Sequence, residues 1–423
     1  MTALDTAGDP APGVEPQPQR RRWRRRRPRR PAPSANIFWR FVFPVLVVVA
    51  GVAVVVLWRA GTKSILDSTD GREVELVVDP AAPGYEAFVV PTPTLLVAHI
   101  DGGRLVGVTV LAQTALEQGG SAVLLGADLL VEYETDEGEE ASEFLALAWS
   151  EGGLDRVEYL VEQLFGFGFT EAIELDVENL GRFLGQVEPL PYLLADDLFT
   201  ESESSSTTLW LDKGRQDLEG AVAAQIYGFR NPGEAEANRW LRQERIWNAW
   251  LESIARSADP RQATLGFQEG LSPFLRSLGT GVADVSILPM EQVGLDPEDP
   301  PFYILEADSG AAWLRERVLD MVPLPISPRS SVRPTVKLLD GTGDSVNRDR
   351  SGADVVAAGG VIAVIGNATA FGVNHTTVLY HRPEVAAQAT MIATALGVEA
   401  TLVDVVEQPT DLTVTIGLDR VAS

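Results

Sequence analysis

Thr94-Leu95-Leu96-Val97-Ala98-His99-Ile100-Asp101 is an apolar run of strand length, and from it outward the chain takes on the pattern of an α/β domain. Further runs of strand length occur at residues 105–111, 122–125, 172–175 and 282–288. Between them lie amphipathic stretches at 154–165, 177–184, 217–227, 234–257 and 311–320. In the first of these, Leu154, Val157, Leu160, Val161 and Leu164 share one face, the 3.6-residue period of a packed helix. Strands alternating with helices in this way predict a layered α/β/α domain with a mixed sheet.

Upstream the composition changes. Nine arginines fall between Arg20 and Arg30 among prolines and glutamines, with too little apolar surface to offset the entropy of ordering. Residues 1–36 therefore read as a disordered basic arm. Residues 37–58 follow, with no charge from Phe41 to Trp58, and a helix of about 20 apolar residues spans hydrocarbon. Trp39 and Trp58 stand where interfacial aromatics belong, and Arg40 can snorkel. The run is too long, and ends too bulkily in Leu57-Trp58-Arg59, for a cleaved signal peptide. The arginines before it give the positive-inside signal and a contact for anionic lipid. The sequence thus predicts a single-pass plasma-membrane protein with a cytoplasmic N-terminus and an extracytoplasmic C-terminus, the lipid bilayer being its first partner.

Three of the 60 acidic and ten of the 34 basic residues lie at or before Arg40, so the outer part carries about 33 net negative charges. Such a field argues against nucleic acid as a partner. Cysteine is absent, which leaves no disulfide framework and no thiol chemistry. Residues 59–91 read as a juxtamembrane stalk with one strand-like alternation from Glu73 to Val78. The Pro/Ser-rich stretch 321–334 reads as a linker between a domain at 92–320 and a small α+β module at 335–423. The module's strand candidates are 335–339, 361–365, 376–380, 401–405 and 412–416, with one helix at 383–396.

No metal or nucleophile constellation stands out. His99, His375 and His381 are the three histidines, none at ligand spacing with another. The acidic run Glu132, Glu134, Asp136, Glu137, Glu139 and Glu140 lacks the ordered spacing of a calcium loop and reads as a solvated hairpin tip. The one cationic cluster beyond the arm is Arg230, Arg239, Arg242 and Arg245. On a helix the last three lie within about 120° of one another. They could hold a diphosphate through bidentate hydrogen bonds, or pair with Glu234, Glu236 and Glu244. The interleaved Trp240, Ile246, Trp247 and Trp250 belong to a core or to the apolar wall of a lipid-phosphate site.

Several of these segments resemble the LytR-CpsA-Psr family, membrane-anchored enzymes that transfer glycopolymers from polyprenyl-pyrophosphate carriers to the cell wall. Residues 94–101 resemble its first core strand, and residues 147–153 its segment ending in Gly-Gly. Arg239-Trp240-Leu241-Arg242-Gln243 is similar to its Arg-x-x-Arg-Gln helix. Val336-Lys337-Leu338-Leu339-Asp340-Gly341-Thr342-Gly343, Thr376 to Tyr380 and Asp411 to Asp419 resemble the separate C-terminal domain of many actinobacterial members. The resemblance implies Asp128, Arg239 and Arg242 as catalytic residues and Arg230, Gln243 and Arg245 as substrate-binding ones.

The chain also departs from the family. Pro93 stands where the family has an acidic residue that helps bind metal, and Leu125-Gly126-Ala127-Asp128 keeps only the aspartate of Ile-Pro-Arg-Asp. In Tyr227-Gly228-Phe229-Arg230 the first arginine of Tyr-x-Arg-x-Arg falls on Phe229. Phosphoryl transfer depends on positioning and charge stabilisation, which these losses remove. The expectation is a degenerate domain that needs no cofactor, a binding or scaffolding factor in cell-wall glycopolymer assembly whose partners are a polyprenyl-linked glycan or peptidoglycan. The alternative is an active ligase using magnesium.

Overall fold

In the computed structural model the described residues are 77–114, 118–135, 138–201, 207–257, 271–294, 302–329, 333–403 and 408–421. The arm, the apolar span and the stalk as far as residue 76 lie outside them. Among the described residues no helix is long and apolar enough to cross a membrane.

The first strands are β1 (Glu86–Phe88), β2 (Thr94–Asp101), β3 (Arg104–Gln113) and β4 (Gly120–Leu125). The hairpin of β5 (Leu130–Glu134) and β6 (Glu140–Phe144) leads into helix α1 (Leu145–Phe165), then β7 (Glu171–Asp176) and α2 (Val177–Leu184). Next come β8 (Leu190–Leu194), β9 (Leu198–Glu201), β10 (Thr207–Leu211) and β11 (Gly214–Leu218), nested so that β8 pairs with β11 and β9 with β10. Helices α3 (Gly220–Gly228), α4 (Glu236–Arg256) and α5 (Leu271–Thr280) precede β12 (Ala283–Ile287). The hairpin β13 (Met290–Val293) and β14 (Phe302–Leu305) and helix α6 (Ala307–Met321) complete the first domain.

Its sheet runs β12-β4-β3-β2-β7, with β12 parallel to β4, β7 parallel to β2 and the central pairings antiparallel. Successive side chains of a strand point to opposite faces. Leu95 and Val97 accordingly join the core under α2, α3, α4 and α5, while Leu96 and Ala98 join the core under α1 and α6. Both faces are covered, so the strand reads as a continuous apolar run, not an alternating one. This is the expected mixed-sheet α/β architecture.

The differences have local causes. Helix α1 begins at Leu145, nine residues before the periodic stretch, and is broken at Gly153, whose φ of 63° and ψ of −150° interrupt the helical path. Helix α3 begins at Gly220, not residue 217, because Gly214–Leu218 is taken up in the ladder with β8. Helix α5, which follows a stretch outside the described residues, was unforeseen although Leu271, Phe274, Leu275 and Leu278 form one buried face over its ten residues. The described residues of the acidic run lie on the β5–β6 hairpin, with Glu132 opposite Ser142 and Glu134 opposite Glu140.

The second domain contains β15 (Thr335–Asp340), α7 (Ser345–Ala357), β16 (Val361–Asn367), β17 (Thr377–Tyr380), α8 (Ala386–Ala395), β18 (Ala400–Leu402) and β19 (Leu412–Ile416). Its sheet order is β1-β16-β15-β19-β17-β18. Residues 86–88, read from sequence as stalk, thus supply its edge strand, with Glu86 opposite Gly366 and Phe88 opposite Val364. Three residues are too few to show a period, and an unpaired sheet edge readily takes up such a segment. The Asn367 side chain fastens the approach by donating to the Pro80 and Ala82 carbonyls at 2.9 and 2.8 Å.

The described part of the segment between the domains is held by hydrogen bonds and an ion pair. The Thr92 amide donates to the Leu324 carbonyl at 2.8 Å and the Gly168 amide to that of Ile326 at 3.0 Å. Arg329 pairs with the buried Glu158 at 2.6 Å, and its amide donates to Glu162 at 2.8 Å. Burial raises the pKa of both glutamates.

Candidate functional site

Helix α4 carries the cationic cluster because its buried stripe is ridged with arginine. Arg239, Trp240, Arg242, Gln243, Ile246, Trp247 and Trp250 all face inward. The indoles and Ile246 anchor the helix over the sheet. The arginines are then carried into a place where each needs a partner.

Glu234, just before the helix, accepts from Arg242 Nη1 at 2.6 Å and from Nη2 at 2.8 Å, and Nη2 also donates to the Phe229 carbonyl at 2.7 Å. Burial would raise the Glu234 carboxyl, but the hydrogen bonds from Arg242, the Asn231 amide and Asn238, together with the Arg242 charge, outweigh it, and its pKa lies below the ordinary value. Glu236, in the first turn, holds two arginines. Its Oε2 is in ion-pair contact with Arg239 at 2.6 Å, without the alignment of a hydrogen bond, and its Oε1 accepts from Arg230. Glu244 forms no ion pair with the cluster among the described residues.

Asp128 follows β4, half-buried, where its backbone carbonyl accepts from the Tyr303 amide at 3.2 Å. Burial lowers the Arg239 pKa, and the charges of Glu236 and Asp128 oppose that shift. The fold therefore brings Asp128, Arg230, Arg239 and Arg242 into one neighbourhood around Glu236. Gln243 is spent differently. Its Nε2 donates to the Val106 and Tyr227 carbonyls at 3.3 and 3.1 Å, clamping α4 to β3 and to the end of α3. Arg245 is exposed, forms no ion pair among the described residues, and lines a recess of only about 80 Å³ with Arg242, Asn238 and Asp196.

Sequence reasoning did not foresee what occupies the space beside Asp128. Trp240 lies so close over Gly126 that a Cβ there would meet the indole at 2.5 Å, and the Tyr303 ring stands edge-on to Trp240 at 4.5 Å. Ala127, on the family's arginine position, is 2% exposed. Arg104 and Arg182 do not replace the missing cations. The first is exposed on the β2–β3 turn and the second pairs with Glu178 on α2. Beneath the cluster, His99 Nε2 stands 2.8 Å from Thr109 Oγ1, and the ring packs on Tyr227 at 4.5 Å. Burial lowers its pKa to about 3 and raises that of Tyr227 to about 12, so both are neutral core groups.

The family's metal is magnesium. Pro93 has no side-chain oxygen, and among the described residues no group of three or more His, Asp and Glu side chains could hold a metal ion. Magnesium is commonly held by one or two carboxylates together with substrate phosphates, and Asp128 is the carboxylate that the chain keeps from the family's motif.

Fold and site together define a mixed α/β/α domain with an internally compensated arginine cluster, followed by a smaller α/β domain. The sequence matches no family model and no curated protein. Among solved structures, members of the LytR-CpsA-Psr family resemble it. TagV of B. subtilis is 16% identical, over 55% of this chain and 97% of that one, with a TM-score of 0.44. TagT of B. subtilis, described as a LytR-CPS2A-psr family protein with bound octaprenyl pyrophosphate lipid, is 14% identical over 59% and 95%, at 0.40. A LytR-Csp2A-Psr enzyme from Actinomyces oris is 14% identical over 59% and 97%, at 0.40.

Proposed function

We propose that this protein is a membrane-anchored component of the cell envelope that binds or scaffolds in cell-wall glycopolymer assembly without catalysing transfer. The observation that carries this reading is the pairing of Arg242 with Glu234 and of Arg230 and Arg239 with Glu236. A pyrophosphate gripped by these arginines would have to displace carboxylates that are themselves buried. Moving a diphosphate requires uncompensated positive charge at the departing oxygens, since such catalysis is mostly electrostatic. Trp240 over Gly126, with Tyr303 against its ring, adds bulk beside Ala127, which stands on the family's arginine position. The basic arm and apolar span of the sequence support the anchor, and the resemblance supports a polyprenyl-linked glycan or peptidoglycan as partner.

The alternative is a phosphotransferase-type ligase moving a glycopolymer from a polyprenyl-pyrophosphate carrier to peptidoglycan, with Asp128, Arg239 and Arg242 catalytic and Arg230, Gln243 and Arg245 binding. The proximity of Asp128 to Arg239 favours it. The deciding experiment gives the detergent-solubilised full chain a polyprenyl-linked glycan and peptidoglycan, with magnesium. Retention of the carrier with no glycan on peptidoglycan is the expected result. Transfer that is lost in Asp128→Asn and Arg242→Lys proteins would establish the ligase instead.

A further inference from the structure

A cavity of about 720 Å³ lies on the opposite side of the first domain's sheet from the arginine cluster. It is bounded by β5, the end of α1, β14 and α6, and by α7 of the second domain. Small-molecule sites have volumes of about 300–1,000 Å³, apolar walls and a few placed polar groups. Leu164, Phe165, Phe167, Leu305, Leu314 and Val318 supply such a wall.

Arg333, in the segment entering β15, lines the same cavity, and its electrostatic setting is unlike that of the other enclosed arginines. Arg156, Arg239 and Arg242 each meet a carboxylate. The Arg333 guanidinium meets none among the described residues, and its Nη1 is shut off from solvent without a hydrogen-bond partner. Its Nη2 lies 3.6 Å from where a Cβ on Gly166 would project, over the last turn of α1. The carbonyl end of that helix favours a cation but offers about half a charge at most. Burial lowers the Arg333 pKa, with no acid opposing it. The exposed Arg315 and Glu132 also line the cavity.

A half-buried guanidinium among apolar side chains, with one nitrogen shut off from solvent and no counter-charge, is costly, and an anionic ligand would supply that charge through two parallel hydrogen bonds. We propose that this cavity binds a single-chain amphiphile with an anionic head, its carboxylate or phosphate on Arg333 and its alkyl chain between α1 and α6. Val356 and Ala357 of α7 complete the wall, so the occupant touches both domains.

The test is native mass spectrometry of the full chain from non-ionic detergent, offered oleate, dodecyl phosphate, oleyl alcohol or inorganic phosphate. One oleate or one dodecyl phosphate per chain is expected, and whichever binds identifies the head. Oleyl alcohol should bind at least tenfold more weakly, and Arg333→Gln should remove that preference. Ala311→Trp keeps the arginine and fills the cavity, so it should abolish binding of every chain-bearing probe. It also decides the matter if the Arg333 variant fails to fold. Equal binding of oleate and oleyl alcohol, unchanged binding in both variants, no adduct at all, or full competition by inorganic phosphate would each overturn the proposal.

Discussion

Arg242 and Glu234 meet through two hydrogen bonds, at 2.6 and 2.8 Å, with 5% and 6% of their side chains exposed. A pair this enclosed adds little over an apolar substitute, but removing one partner strands the other. Glu234→Gln should therefore lose about 3–5 kcal/mol of unfolding free energy in urea. Glu244→Gln, on the same helix and outside the pairing, should stay within about 0.5 kcal/mol of the parent. Equal effects of the two would mean that Glu234 does not hold the cluster.

His99 links the core to acidity. Its folded pKa of about 3 lies below the ordinary 6.5, because burial disfavours the imidazolium. Between those values the unfolded chain takes up a proton that the folded chain refuses. Its contribution is therefore complete above about pH 6.5 and declines as pH falls, by up to about 1.4 kcal/mol per unit. A His99→Gln protein can keep a hydrogen bond to Thr109 and should lose that part of the slope. Urea midpoints at about pH 5 and about pH 7 measure it, and parallel slopes for variant and parent would contradict the assignment.

Glu162 should act in the opposite sense. Burial raises its carboxyl above the ordinary range, against hydrogen bonds from the Arg329 and Phe169 amides. The folded chain then holds the proton more tightly than the unfolded one, so this group adds stability as pH falls through its folded pKa toward about 4.3. Glu162→Gln removes the cost of burying the charge. Its stability relative to the parent should be greatest near neutrality and shrink on acidification, as paired denaturation curves would record. A difference independent of pH would show that the carboxyl titrates alike in both states.

The central sheet was legible because its inner strands β2, β3 and β4 are apolar on both faces, a pattern that survives in any context, while the edge strands β7 and β12 still show short apolar segments. Residues 95–100, 105–111, 122–125, 172–175 and 282–288 each fall on one of its five strands. The arginine cluster was half legible. Helical spacing put Arg239 and Arg242 on one face and named Glu234 and Glu236 as competitors, but spacing alone does not choose between a ligand and a neighbour. Trp240 over Gly126 was hidden, since it depends on residues more than a hundred positions apart meeting across α4 and β4. So was the Arg333 cavity, whose walls come from β5, α1, β14, α6 and α7. A distant charge that lacks a partner leaves no mark on the local sequence.

The edge strand β1 gives the last prediction, because it joins the approach to the first domain directly to the second domain's sheet. Its three residues pair with β16, Glu86 forms an ion pair with Lys337, and Phe88 remains 85% exposed. So short a ladder with an exposed side chain adds little apolar burial. What fixes it is Asn367, 5% exposed, which satisfies the Pro80 and Ala82 carbonyls with its two amide hydrogens. Asn367→Ala removes both bonds, leaving Pro80 without this donor and Ala82 with only the Tyr85 amide at 3.3 Å, at a cost of about 1–3 kcal/mol. Because the rest of the sheet does not depend on them, the loss should be local: the amides of Gly84 and Val89, which donate to Ala368 and Ala363, should exchange at least tenfold faster. Those of β15 and β19 should keep their protection. Uniform acceleration across the second domain would instead make Asn367 part of its global stability, and unchanged exchange at Gly84 would show that the ladder holds without it.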